Sequence, residues 1–295
     1  MSGFHTVVVG VEHLAPVRAL WRDLFGFEER TLTPGRIGAL AARWGIDRGH
    51  VSDALQLRTP GQDQGQLLFV EFAGPAVSVR AGAAPTDLCP KNLDLYVDDL
   101  PARLPDLLAG GARPRQAMPN ELTAPNGMRF RELHLQGHDD LNIVLLQLLD
   151  PPADRLPAFS PKGFAGVGAM VTTVRDAASE VSFHRDRNGF VRHAQHRFAG
   201  PEIEDMVGLP PGAALDITIL GGDGLLGQLE IVSYGNAAGK DRYPLTRPPA
   251  RGILEVELGP PERLGQLELS PAGLRTWQAM TPSEGRESER GARTR

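Results

Sequence analysis

FHTVVVGVEHLAPVRALWRDLFGFE, residues 4–28, reads as a strand, an acidic turn and a helix. The phrase returns as NLDLYVDDLPARLPDLLAGGARP at 92–114 and AMVTTVRDAASEVSFHRDRNGFV at 169–191. Aligning the turn acids Glu12, Asp99 and Asp176 puts His5, Asn92 and Ala169 in register at the strand openings. Such self-similarity marks an internal repeat, which sets the fold before any single motif does. In the first copy His5, Val7 and Val9 share one strand face and Phe4, Thr6 and Val8 the other. Pro16 suits a first helical turn, Leu14, Val17, Leu20, Trp21, Leu24 and Phe25 keep helical spacing, and Gly26 stops the run. The second copy repeats this with Pro101, a leucine stripe and Gly110, although Pro105 removes a backbone donor inside its helix. Strand-like runs follow each helix, so one helix with about three antiparallel strands is the expected unit.

Linkers fall where the repeat demands them. Residues 73–90 and 149–163 are rich in Ala, Gly and Pro. The second is the expected domain boundary, giving an N-terminal domain of residues 1–150 with two units and a C-terminal domain of residues 164–280. A fourth unit is expected around GILEVEL at 252–258, and residues 281–295 are expected to form a disordered tail. At 295 residues, 41% apolar and 23% charged, the chain has the composition of a globular protein. A net charge of −5 offers no basic field for nucleic acid or anionic lipid. The single cysteine, Cys89, cannot form an internal disulfide, and no charged and apolar leader precedes the first strand, which points to the cytoplasm.

The opening strand with His5, the FGFE after the first helix, the YVDDL and GGARP phrases, and the strand ends VEF and LQL resemble the vicinal oxygen chelate superfamily, also called the glyoxalase/bleomycin resistance/dioxygenase family. The resemblance covers residues 4–233 and is weak in the fourth unit. It implies an α+β fold of tandem βαβββ modules forming two cup-shaped mixed sheets, with a divalent metal ion (Fe, Mn, Zn or Ni) in a cup. In that family the ligands stand on the first and last strands of paired units. Carried onto this chain they are His5, Glu71, Asn92 and Gln147, of which His5 and Glu71 are the expected catalytic pair. Asp94, Tyr96, His134 and Phe69 are the expected substrate-binding residues.

The third and fourth units look poorer, because Glu230 aligns with Glu71 but its companions are Ala169 and Ile253 or Leu254. A strand spacing of three sends His193 and His196 to opposite faces, so HAQH is not a chelating motif. His184 suits packing within its helix, and GGDG at 221–224 lacks the strand-to-helix context of a phosphate loop. The implied activity is a lyase, isomerase or oxygenase. Its metal would chelate adjacent oxygens of a small oxygenated organic substrate and stabilise an enolate or alkoxide. Without a metal, His5 and Glu71 would serve as an acid/base pair. The alternative is a metal-free protein that sequesters an antibiotic-like molecule, and a lesser one is a scaffold used for assembly. A homodimer is compatible with all of these.

Overall fold

A computed structural model describes residues 3–151 and 156–280; the segment 281–295, expected as a disordered tail, lies outside the described residues. The first unit runs β1 (Thr6–Val11), α1 (Leu14–Val17, continuing as a π-helical stretch Arg18–Leu24), β2 (Glu28–Thr31), α2 (Pro34–Trp44), β3 (Val51–Arg58) and β4 (Gln66–Phe72), and a short β5 (Val77–Ser78) follows. The second contains β6 (Pro90–Val97), α3 (Leu100–Ala109), β7 (Arg113–Pro114), β8 (Asn120–Thr123), β9 (Arg129–Gln136) and β10 (Asn142–Leu148). The third comprises β11 (Phe164–Thr173), α4 (Ala177–Asn188), β12 (Val191–Ala199), α5 (Pro201–Val207), β13 (Ala214–Gly221) and β14 (Gln228–Gly235). The fourth is reduced to β15 (Ala250–Glu257), β16 (Leu264–Leu269) and β17 (Arg275–Ala279).

Helix starts follow local chemistry. Asp99 and Asp176 accept from the amides of Ala102 and Ser179, satisfying donors that a first helical turn leaves open. The turn acids that align the repeat are therefore N-caps in units two and three.

The strands form two mixed, curved sheets in the order β16-β17-β15-β1-β4-β3-β2 and β12-β13-β14-β11-β6-β10-β9-β7. The fold is therefore the expected α+β arrangement of repeated units in two cups, but the units pair differently from expectation. Unit one joins unit four through the antiparallel pair β1·β15, and unit two joins unit three through β6·β11. No cup is made from units one and two alone. β11 lies beside β6, and the last unit completes the first sheet through β15.

One apolar core serves both sheets: Val7, Val9 and Phe69 from the first pack in the same cluster as Leu93, Leu95, Met170 and Leu229 from the second, with Trp21, Leu107 and Val174 from connecting segments. A backbone seam ties the sheets together, Phe4 N donating to Gly227 O at 2.7 Å, Gly227 N to Val167 O at 3.0 Å, and Val167 N to Gly65 O at 2.9 Å. A Cβ on Gly65 would lie 2.4 Å from the Val167 carbonyl oxygen, and φ is +65° there, so the seam requires glycine.

Candidate active site

The expected ligand set does not meet. β1 and β4 run parallel with Thr6 opposite Gln66 and Val11 opposite Glu71, which puts His5 and Glu71 at opposite ends of the pair. At about 3.3 Å per residue their backbones are on the order of 15–20 Å apart. His5 Nδ1 lies 2.7 Å from Thr6 Oγ1, and burial, more than any charge, lowers its pKa. Glu71 accepts from Leu14 N at 2.8 Å, capping α1. Gln147 accepts from Leu100 N at 3.1 Å, capping α3, and Asn92 accepts from Asn142 Nδ2 at 2.8 Å. Asn92 and Gln147 also belong to the other sheet. Phe69 is fully buried in the shared core, its ring centroid 5.6 Å from that of Trp21, and is not part of the cavity described below. The alignment of Glu71 with Gln147 nonetheless has a physical basis, because both side chains cap the helix of their own unit.

The cup of units two and three gathers the other polar residues. Alternation along β6 points Asn92, Asp94 and Tyr96 to one face, and the same rule on β9 and β14 points Glu132 with His134, and Glu230 with Tyr234, into the same cavity. Its volume is about 160 Å³, comparable to a cavity that accepts one aromatic ring. Val144, Leu146, Ile217, Phe198 and the α5 residues Ile203 and Met206 supply apolar walls. Asp94, Tyr96 and His134 thus stand where an organic ligand would sit. The Tyr96 ring occupies space that only glycine leaves free, since a Cβ at Gly168 would come within 2.6 Å of it.

Lys91, Glu132 and Glu230 were not among the expected site residues. Lys91 reaches the cup through a β-bulge: Val171 pairs with Asn92 and Thr172 with Pro90, so Lys91 is the extra residue and its side chain joins that of its neighbour. Its ammonium donates to Tyr234 Oη at 2.6 Å. Glu132 hydrogen-bonds His134 Nε2.

The electrostatics are those of carboxylates in an enclosed, mostly apolar space. Burial raises Asp94 well above the usual carboxylate range, the charges of Glu230 and Glu132 add to this, and Lys91 opposes it. Burial, then Glu132, pushes Glu230 up to about 7. Burial, then Arg80, brings Lys91 down to about 8. Asp94 Oδ1 is buried with no hydrogen-bond partner. Tyr96 and Tyr234 are raised, chiefly by burial, and stay neutral phenols.

A divalent ion does not fit this donor set. The first and last strands of the two units offer Asp94 and Glu230, but Val144 on β10 and Ala169 on β11 fill the remaining places. Among the described residues no three His, Cys, Asp or Glu side chains are grouped to hold a metal, and the Lys91 ammonium lines the same cavity as the two acids. Elsewhere the expected readings of the third unit are retained. His184 is buried against Glu180 and Asn188. His196 lines the cup while His193 lies 2.5 Å from the Gly222 carbonyl oxygen.

Two curved mixed sheets, each completed by two repeat units, give the chain the fold of solved glyoxalase and dioxygenase-type structures. Among solved structures the chain is similar to glyoxalase I from Zea mays, at 11% identity over 97% of this chain and 95% of that one with a TM-score of 0.60, and to a point mutant of that enzyme at 12%, over 97% and 96% with 0.61. A dioxygenase-type protein from Bacillus subtilis matches at 10% identity over 95% and 86% with a TM-score of 0.59. No protein-family model matches the sequence, nor does any curated protein. Among the described residues no helix is long and apolar enough to cross a membrane.

Proposed function

We propose that this protein is an enzyme that moves a proton on a small, largely apolar organic molecule bound in the cup of units two and three, with isomerisation or elimination as the reaction class. Glu230 is the base, and protonated Asp94 donates a hydrogen bond or a proton to an oxygen of the substrate. What carries this reading is a pair of carboxylates, Asp94 and Glu230, facing a largely apolar cavity, one oxygen of Asp94 being buried without a hydrogen-bond partner. An orphaned buried polar atom costs about 1–3 kcal/mol, a cost that a substrate oxygen would offset on binding. Proton transfer at neutral pH works best with a group titrating near that pH, and Glu230 at about 7 meets the condition. The polar donor and base stand on strands rather than loops, which fixes their orientation to a bound ring.

The test is deuterium wash-in at the acidic α-carbon of phenylacetone in D₂O, followed by proton NMR. Wild-type protein should exceed buffer, and Glu230→Gln should lower the enzymatic rate about 10²- to 10⁴-fold. The rate should climb as pH rises through about 7 with ionisation of Glu230. Equal exchange by wild type and Glu230→Gln would remove the proton-transfer role. If phenylacetone raises the melting temperature but no exchange occurs, the cup binds without turnover, and the sequestration alternative takes its place.

A further inference from the structure

Of the 31 lysine and arginine residues in this chain only Lys91, Lys162 and Lys240 are lysines. Two are exposed on the surface and the third, Lys91, is 8% exposed on the wall of the cup. Arginine cannot lose its proton in a protein, whereas a buried lysine can, so the chemistry of the position favours a neutral amine. Lys91 has no carboxylate within ion-pair distance among the described residues; its one hydrogen bond is to the neutral phenol of Tyr234, over whose ring it also lies at 5.3 Å. The bulge in β6 spends an unpaired residue on turning this side chain inward beside Asn92 and Asp94. Bulges of this kind re-aim side chains next to sites.

From this placement we infer that Lys91 is a nucleophile that captures the carbonyl carbon of an aldehyde or ketone substrate as an imine, with the apolar cup holding the carbonyl compound's hydrocarbon part. The inference rests on the cup being the reaction site and names its substrate class. The amine lone pair forms the C–N bond as the C=O π pair moves to oxygen, and one of the two N–H protons passes to that oxygen, giving a neutral carbinolamine. That hydroxyl accepts a second proton from Asp94 or Glu230 and leaves as water, and loss of the remaining N–H proton, or its retention as an iminium, completes C=N. No electron is gained or lost. An iminium acidifies the adjacent C–H, which is the proton that Glu230 would take.

Benzaldehyde, a single ring of the right size, serves as the probe on the full chain, with sodium cyanoborohydride added to reduce any imine to a stable benzyl amine. Peptide mass mapping then reads benzylation at Lys91, Lys162 and Lys240 within the same molecule. At pH 8 an exposed lysine is almost wholly protonated and Lys91 about half, so Lys91 should be labelled roughly 100-fold faster. The dependence of its labelling on pH should have a midpoint near 8 rather than near 10. Lys91→Arg should lose the adduct while benzaldehyde still raises the melting temperature. Labelling of Lys91 no faster than of Lys162 and Lys240 overturns the inference, and needs no variant to be seen. If benzaldehyde raises the melting temperature and Lys91 stays unlabelled, the cup survives as the site and the amine chemistry fails. If benzaldehyde neither binds nor labels, the inference fails together with the cup.

Discussion

The two cups are built from the same repeat and have opposite contents. In the cup of units one and four, α2 lies over the concave face, with Ile37, Leu40 and Ala41 packed on Val8, Leu68 and Val70. Arg43, on the last turn of α2, donates to Glu257 at 2.6 Å and to Glu255 at 2.5 Å, and its guanidinium stacks 4.6 Å from the Trp277 ring centroid. In the cup of units two and three the helix at the same point of the repeat is α5, seven residues against eleven, and its Ile203 and Met206 line the cavity. The acids Asp94 and Glu230 there meet an ammonium and an empty apolar space instead of a guanidinium. A helix four residues longer, carrying one arginine, neutralises the two acids of this cup, and a cleft of about 540 Å³ lined by Arg36, Leu68, Glu257 and Trp277 stays open beside it. Thr33, which accepts from Arg36 N, Pro34 at the first turn and Gly45 in the left-handed region give α2 a firm start and stop. By contrast α5 begins after Gly200 with no side-chain cap.

The strongest way to break this contrast is Arg43→Met. Glu255 and Glu257 are essentially inaccessible, and removing the cation leaves buried carboxylates uncompensated, which costs on the order of 3–5 kcal/mol. Urea unfolding should show this loss in the midpoint with little change in slope. A loss under 1 kcal/mol would mean that Arg275, 3.2 Å from Glu255, carries the neutralisation alone.

The open cup should behave in the reverse sense. Folded-state values for Asp94 and Glu230 are raised above their unfolded ones, so protonated carboxyls favour the fold below about pH 4 and that contribution is lost as pH climbs through about 7. The double variant Asp94→Asn, Glu230→Gln should therefore gain clearly in stability at pH 8 and nearly nothing at pH 3, where both carboxyls are protonated in the folded and unfolded chain alike. Unfolding measured at the two pH values checks this, and an equal change at both would show that the carboxyls are not held against their charge. Gained stability with lost exchange activity would be the usual exchange between a site's strain and its chemistry.

Much of the architecture could be read from the chain because period-two and helical spacing repeat three times, and the turn acids Asp99 and Asp176 do cap helices. Unit pairing could not be read, since the repeat fixes each unit's own strands and says nothing about which other unit completes its sheet. That error moved the expected centre to His5 and Glu71, two residues placed by alignment to the family's ligand positions. Asp94, Tyr96 and His134 were legible as polar or aromatic side chains on one face of otherwise apolar strands. Glu230 and Tyr234 carry the same signal in GQLEIVSY and Glu132 carries it beside His134, but the family's ligand pattern gives Glu230 no partner at Ala169 or at Ile253 and Leu254. Lys91 was hidden for a different reason: simple alternation puts it on the face opposite Asn92, and only the bulge reverses it.

The smallest effects test the likeness between the first two units. Glu71 and Gln147 accept from the first free amides of α1 and α3, so alanine at either position should cost about 1 kcal/mol, the size of a lost N-cap. Glu71→Gln keeps an acceptor for Leu14 N and makes unit one resemble unit two, so it should cost only a few tenths of that. The ranking separates capping from ligation, because an amide in place of a metal-binding carboxylate would be felt as strongly as alanine. Thermal melts of the three variants, with metal content measured on the same samples, read both quantities. Equal loss in Glu71→Gln and Glu71→Ala, accompanied by loss of a bound ion, would return Glu71 to the role its alignment suggested.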